Sequence, residues 1–311
     1  MPKVSVIIPT RNRSNLLQVA ITSVLNQTFQ DFEIIVVDDA STDAIAEIVS
    51  GFVDDRIRYV RHQIGRGGSA ARNTGIRNSN GEYVAFLDDD DEWFPEKLKL
   101  QIALLESSPR TVGVVYAGYW IVDRASGRIN GQKIPEKRGD LSDELLAGNS
   151  VGGTSIVLAR RECFDRVGLF DETLPSFQDY DLWIRISKEF HFDFIPSPLC
   201  NYYVHDNKIS TDVEALRKGI EILLAKHGNS PALRRYLSYR YLFLGVNYCE
   251  RGNARDGRGA FRNAIKLYPF GIRHYFNFCL SLLGARTFKR IKGTKETIKA
   301  SMKSAIRGAD C

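Results

Sequence analysis

Four consecutive carboxylates, Asp88, Asp89, Asp90 and Asp91, follow directly on the apolar run 83–87. A short β-rich run bounded by Gly81 and then by charge fits a buried strand of a parallel sheet. The carboxyl end of such a strand is where open α/β sheets hold their ligands. Like charges packed this closely repel one another unless a cation sits among them. All-oxygen carboxylate sites suit hard ions such as Mg²⁺ or Mn²⁺, usually completed by substrate phosphates. The plain alternative is an acidic loop that caps the helix starting near Pro95.

Two other strand-like runs end in polar groups. Pro9, Thr10, Arg11 and Asn12 follow the run 4–8, and Asp38 and Asp39 close the run 33–39. Parallel neighbours put such ends on one edge of a sheet. Asp38 and Asp39 could cap a helix beginning near Thr42, although Ser41 and Asp43 are equally placed for that. Asp39 could instead hydrogen-bond a nucleobase or ribose. The stretch 67–75 (GGSAARNTG) reads as a loop-to-helix junction whose free N–H groups favour an anion, with Arg72 able to fork onto phosphate oxygens. An ordinary ion pair would explain Arg72 equally well.

These groups need a scaffold that alternates strand and helix, and the first hundred residues supply one. Strand 4–8 should end at Pro9, and Ser14 can cap a helix in which Leu17, Ala20, Ile21, Val24 and Leu25 recur at helical spacing. Strand 33–39 leads to a helix through Ile45, Ile48 and Val49, capped from 41–43, and 57–60 is a third strand. A glycine-rich turn, a helix through Ala70 and Ile76, strand 83–87 and an amphipathic helix 95–106 complete the series. Such alternation implies a mostly parallel sheet with helices on both faces. From 112 the rhythm loosens: 112–122 and 192–204 are β-like, 154–158 is an apolar strand, and a helix lies near 179–189. Beyond 212 the chain reads as all helix.

A chain of 311 residues, 43% of them hydrophobic, is long enough for one large domain or two and gives no reason to expect disorder. No window approaches the roughly 18 uninterrupted apolar residues of a spanning helix. The first strand begins at Val4, which leaves no room for a signal peptide. Five scattered cysteines without a CxxC pair fit free thiols in a reducing cytoplasm and argue against zinc. Charge is divided unevenly. Residues 206–311 carry 21 Lys+Arg against 8 Asp+Glu, a net of +13, while 1–205 carry 22 against 29, a net of −7. That asymmetry argues for two functional parts, 1–210 and 211–311, the second facing something anionic.

Taken in order, PTRNR (9–13), VVDDASTD (36–43), GGSAARNTGI (67–76) and FLDDDDEW (86–93) resemble glycosyltransferase family 2, inverting enzymes with the GT-A nucleotide-diphospho-sugar transferase fold. GLFDE (168–172) followed by FQDYDLW (177–183) resembles that family's acceptor-side motif, and the likeness spans 4 to about 205. It implies that Pro9, Thr10, Arg11 and Asp39 hold the uracil and ribose of a UDP-sugar, with Arg72 near the base and diphosphate. The family's DXD element falls on Asp88, Asp89 and Asp90, with Asp90 the expected ligand of Mn²⁺ or Mg²⁺ and Asp89 near the ribose. The catalytic base falls on Asp179, preceded by Gln178 where Glu is commoner. His205 resembles a family histidine near the diphosphate or metal. For these last two the plain readings are a helix N-cap and a structural histidine.

The implied chemistry suits these residue types. Transfer from a nucleoside diphosphate sugar leaves negative charge on the departing diphosphate, which a divalent ion at Asp90 would stabilise. Asp179, across the sugar, would take the proton of the attacking hydroxyl. One base and one metal suffice for a single displacement with inversion, whereas a glycosidase needs two carboxyl groups flanking the bond. The expected donor is a UDP-sugar and the acceptor a hydroxyl of a bacterial-type surface glycan, in free or lipid-linked form. Two other readings are a sugar-1-phosphate nucleotidyltransferase and a non-catalytic helical-repeat adaptor with a vestigial nucleotide-sugar fold. The former would carry a glycine-rich phosphate loop where this chain has Pro9, Thr10, Arg11 and Asn12.

In the basic back, 241–269 has tetratricopeptide-like spacing: Tyr241, Leu244, Gly245 and Tyr248, then Phe261, Ala264 and Pro269, with Gly257 where the repeat usually has Ala. One repeat reads as a single docked hairpin, not a binding array. Apolar 275–283 is followed by Arg286, Lys289, Arg290, Lys292, Lys295, Lys299, Lys303 and Arg307. Cations beside an apolar helix suit an anionic bilayer surface, and a packed helix with a solvated tail serves as well. No nucleic-acid-binding motif is present. The expected location is the cytoplasm or the inner face of its membrane, and a homo-oligomer is compatible with the sequence.

Overall fold

Seven buried residues in succession make β1 (Val4–Thr10) a strand covered on both faces, and β2 (Phe32–Asp38) is buried in the same way. Continuous apolar character of this kind is what interior parallel strands require. The computed structural model describes residues 1–204 and 212–291, and the chain divides into two compact units at 209/210. In the first unit β1 pairs in parallel with β2 on one side and with β4 (Tyr83–Phe86) on the other, while β3 (Ile57–Arg61) adds in parallel outside β2. Helices α1 (Ser14–Leu25), α2 (Ile45–Ser50) and α3 (Gly68–Arg77) fill the connections, as the alternation implies.

β1 does not stop at Pro9; it runs on to Thr10. The Ile7 carbonyl accepts from the Leu87 N–H, so alternation turns the missing donor of Pro9 to the same side, past the end of the β4 pairing. A proline therefore costs no ladder bond here. Thr10 comes to lie beside Asp38 and Asp38 beside Arg61, which lines up the three strand ends.

Past β4 the sheet becomes mixed. β5 (Glu92–Trp93), α4 (Lys97–Ser107), β6 (Val112–Asp123) and β7 (Ile129–Lys133) come next, then α5 (Ser142–Ala147), β8 (Val157–Arg160), α6 (Arg161–Val167), α7 (Gln178–Ile186) and β9 (His191–Val204). The strand order is β3-β2-β1-β4-β8-β6-β9-β5, with β7 on β6. β8 runs antiparallel between β4 and β6, β9 is parallel to β6, and β5 closes the edge antiparallel to β9. The strand expected over 154–158 begins only at Val157, because Thr154–Ile156 forms one 3₁₀ turn. The Ser155 carbonyl accepts from the Trp93 indole at 2.6 Å and its hydroxyl is used at the acidic turn, so neither is spent on a ladder.

The second unit is helical: α8 (Val213–His227), α9 (Pro231–Glu250), α10 (Ala254–Leu267) and α11 (Ile272–Leu282). Three starts are capped by side chains. Asp212 accepts from Glu214 and Ala215, Ser230 from Leu233 with Pro231 at the first helical position, and Asn253 from Asp256. α9 and α10 form the hairpin at the tetratricopeptide-like spacing. A Cβ on Gly245 would stand 2.4 Å from the Phe261 ring, which explains glycine there. Phe261 packs in turn on Phe288, ring centroids 6.1 Å apart, in a core shared with Cys249 and Leu280. The basic residues from Lys292 onward lie outside the described residues. No helix among the described residues is long and apolar enough to cross a membrane.

Candidate active site

The loops after β1 and β2 are sewn together. Asn12 donates its N–H to the Ser41 hydroxyl at 2.9 Å, and its side-chain oxygen accepts from the Thr42 N–H at 2.7 Å. Asp43 accepts from the Ser14 N–H at 2.9 Å. These contacts correct the expected caps. Ser14 is itself the first helical residue of α1, and α2 has no side-chain cap; the residues 41–43 serve the neighbouring loop instead. Asp38 caps no helix either: it accepts from the Ser41 N–H at 2.8 Å and the Tyr59 hydroxyl at 2.6 Å, fixing the turn that follows β2.

Asp39 organises the next loop. It accepts from the N–H groups of Arg66 at 2.7 Å and Gly67 at 2.8 Å and pairs with the His62 ring at 2.8 Å. Burial opposes its charge, but these bonds win and hold its pKa below the usual carboxylate range. Arg11 stands 3.6 Å away. Gly67, at φ 90°, turns the chain into α3, which brings Arg72 inward. On the same helix Asn73 bonds the backbone of Phe170 in both directions, at 2.9 Å each, so the 168–172 segment is fastened to α3.

The acidic run after β4 turns on itself, with the Asp91 N–H donating to the Asp88 carbonyl at 3.0 Å. Carboxylate oxygens of Asp88, Asp90 and Asp91 all lie within 4.8 Å of one another. Asp89 points elsewhere, accepting from the Thr10 hydroxyl at 2.8 Å and from Arg13 at 3.0 Å. Burial pushes its pKa up to about 6, against the pull of Arg13 and Thr10. Arg13 also reaches Asp90, at 3.1 Å. Asp91 accepts from the Ser155 hydroxyl at 2.7 Å and from the Tyr203 N–H at 3.2 Å, while the Asp88 N–H donates to Ser155 Oγ at 3.1 Å. Three converging carboxylates fit a hard divalent cation and offer nothing soft for zinc or copper.

Arg72 joins this turn to the second motif. Its guanidinium donates to Asp88 at 2.5 Å, while its buried Nε has no hydrogen-bond partner. Its charge also helps to hold down the pKa of Asp179. Asp179 sits in the first turn of α7, just after Phe177, whose φ of 65° is left-handed. It accepts from the Tyr180 N–H at 2.8 Å. The residue is half-buried. Burial pushes the pKa up to about 6, opposed by Tyr180 N–H and Arg72 and reinforced by Asp88. The charges of Asp91 and Asp179 both reach Tyr119, whose own pKa is raised chiefly by burial.

α7 is rigidly seated. Tyr180 donates its hydroxyl to the Leu145 carbonyl at 2.5 Å and Trp183 its indole N–H to Gly152 at 2.9 Å. Buried Asp181 holds Arg185 at 2.9 Å, and Arg185 donates to the carbonyls of Val167 and Leu169, each at 2.8 Å. Asp181 is thus fold-supporting.

Thr10, Arg72, Asp88, Asp89, Asp90 and Asp179 come together around one acidic turn. Asp39 and Arg11 form a neighbouring cluster at the 62–67 loop, and Pro9 is buried within β1. His205 lies outside the described residues. The sequence gives no role to Arg13, His62 or Ser155, and marks Asp91 only as one of four carboxylates that could surround a cation. Arg13 stood in the quoted PTRNR stretch and Asp91 in the acidic run, but neither carried a signal of which way it points.

A model of the family described as Glycosyl transferase family 2 matches residues 5–168. An uncharacterized glycosyltransferase of Rickettsia felis is 36% identical over 199 residues, 62% of this chain but 33% of that protein, so the chain spans about a third of that relative's length. The UDP-Glc:alpha-D-GlcNAc-diphosphoundecaprenol beta-1,3-glucosyltransferase WfgD of Escherichia coli is 30% identical over 248 residues, 78% of this chain and 93% of that protein. Among solved structures, S. aureus TarS 1–349 in complex with UDP-GlcNAc superposes with a TM-score of 0.66 at 18% identity, covering 95% of this chain and 92% of that one. At that identity the likeness speaks for the fold.

Proposed function

The chain belongs to glycosyl transferase family 2, and from that premise we propose that it moves a sugar from a UDP-linked donor to a hydroxyl of a glycan or lipid-linked acceptor, with inversion, in surface polysaccharide synthesis. Residues 1–210 would be the catalytic part and 211–311 an accessory one. The reading rests on Arg72, one guanidinium bonded to the acidic turn through Asp88 and electrostatically coupled to the lone carboxylate Asp179. Such a centre holds charge for a departing diphosphate and a base for the attacking hydroxyl within one field. WfgD, whose name specifies UDP-Glc and a diphosphoundecaprenol-linked acceptor, supports the donor and acceptor classes. The TarS complex with UDP-GlcNAc supports a uridine donor on this fold.

Asp88, Asp90 and Asp91 would hold Mn²⁺ or Mg²⁺, with His205 as a further candidate. When bound, the ion supplies positive charge to the leaving diphosphate. Arg72 would add positive charge beside the same oxygens. Pro9, Thr10, Arg11 and Asp39 would hold the uridine, Asp39 by ordering the 65–67 loop, with Asp89 on the ribose side. Arg13 and Thr10 keep Asp89 turned away from the cation ligands. Asp179 would accept the acceptor's proton. A pKa of about 6 leaves it ionised at neutral pH yet more basic than an ordinary aspartate. The expected place of action is the cytoplasm, at the inner face of the membrane where a lipid-linked acceptor is presented.

The test is UDP release and transfer measured over a panel of UDP-sugars with Mg²⁺ and Mn²⁺. Asp179→Asn should abolish transfer while UDP still binds in calorimetry. Absence of turnover from every UDP donor, or full activity in Asp179→Asn, refutes the reading.

A further inference from the structure

The helical unit turns an apolar face outward. On α11 and its C-cap Leu283, the residues Ile272, Tyr275, Cys279, Leu282 and Leu283 recur at i, i+3, i+7, i+10 and i+11, a single stripe along one side. Ile272 is 83% exposed, Leu282 60% and Leu283 62%, and Phe270, in the turn leading into the helix, is 83% exposed. The opposite side of the same helix is packed inward through His274, Asn277, Leu280 and Ser281. Isolated exposed apolar residues are ordinary, but a continuous stripe beside an exposed phenylalanine marks a surface that is covered in use.

The charges around the stripe identify the cover. From Ile272 to Lys295 the sequence holds six Lys and Arg and no Asp or Glu. Arg273 lies beside the stripe and Arg286 and Lys289 just beyond its end, all exposed. A protein partner would have to meet this belt with carboxylates at matching points. A bilayer with anionic headgroups meets it anywhere along its plane and takes the apolar side chains into the acyl boundary. We propose that the Phe270–Leu283 face rests on an anionic lipid surface, with the flanking cations at headgroup level and the apolar stripe beneath them. This goes beyond the transfer reaction and stands whether or not a sugar is moved.

The test uses the full chain and sedimentation with vesicles of phosphatidylcholine alone or with about 30% phosphatidylglycerol, in about 0.1 M salt, where the screening length is about 10 Å. The protein should pellet with the anionic vesicles only. Phe270→Ser/Ile272→Ser removes two side chains that are each 83% exposed, Phe270 meeting Tyr268 edge-on at 6.1 Å, and binding should fall roughly tenfold or more while the melting curve of the helical unit stays near wild type. Arg286→Gln/Lys289→Gln should weaken binding by roughly fivefold per cation at low salt and by less at high salt. UDP release without vesicles should stay unchanged in both variants. Failure of the wild type to pellet overturns the proposal. So does equal pelleting of wild type and Phe270→Ser/Ile272→Ser, which would assign binding to charge alone. Self-association of the wild type in light scattering, lost in that variant without any vesicle binding, would overturn it in favour of a second copy of the chain.

Discussion

Replacing the proposed base should make the protein more stable as it makes it inactive. The Asp179 carboxyl has a folded-state pKa of about 6 against 3.8 for an ordinary aspartate. Between those values the folded state binds more protons than the unfolded one, so stability falls as pH rises through that window and remains lowered above it. At about 1.4 kcal/mol per pKa unit the full shift corresponds to about 3 kcal/mol. The residue is only half-buried, and solvent screening reduces this to about 1–2 kcal/mol. Asn at 179 keeps an oxygen for the Tyr180 N–H and carries no charge to desolvate. Asp179→Asn should therefore raise the melting temperature of the first unit by about 3–6 °C at pH 7.5, with the gain shrinking toward zero near pH 4. Melts of both proteins from pH 4 to 8, followed by tryptophan fluorescence and far-UV dichroism, measure it. A variant no more stable than wild type at pH 7.5, or a gain that ignores pH, refutes the electrostatic account of this site.

Other outcomes follow from contacts already described. Ser155→Ala removes the hydroxyl that donates to Asp91 and accepts from the Asp88 N–H, so Mn²⁺ binding followed by spin resonance should weaken about 10–100-fold. Ser155→Thr should retain most of that binding. Asp90→Ala should abolish the metal-dependent part of UDP binding in calorimetry while leaving the melting curve near wild type. Gly245→Ala drives a Cβ into the Phe261 ring and should cost the helical unit about 1–3 kcal/mol in urea melts.

The parts of the structure legible in sequence were those with a period or a break. β1, β2 and β4 announced themselves as apolar runs ending in charge, and the α9–α10 hairpin by small residues facing a phenylalanine. The acidic turn was legible as a place because four like charges at a strand end stand out in any string. Direction was not legible. Four adjacent aspartates look alike in a string, and only the turn closed by the Asp91 N–H sends Asp89 toward Arg13 and gathers the other three. Caps misled for a related reason. Ser41 and Asp43 have the chemistry to start α2, but after the αL turn at Ala40 Ser41 serves Asn12 in the loop after β1 and Asp43 the first residue of α1. Ser155 looked like one more residue of an apolar strand, because long-range bonds to Asp91 and Trp93 leave no local mark.

Three residues other than glycine have positive φ among the described residues: Asn12, Ala40 and Phe177. Each stands at a corner of the chain bordering the candidate site; asparagine tolerates the left-handed region, but Ala40 and Phe177 each cost about 1–2 kcal/mol that the surrounding structure must make good. The segments that shape the centre are consequently the ones held against their own preference. On gentle warming they should let go before the strands behind them, so catalytic competence is expected to fade at temperatures where the bulk of the secondary structure is still intact.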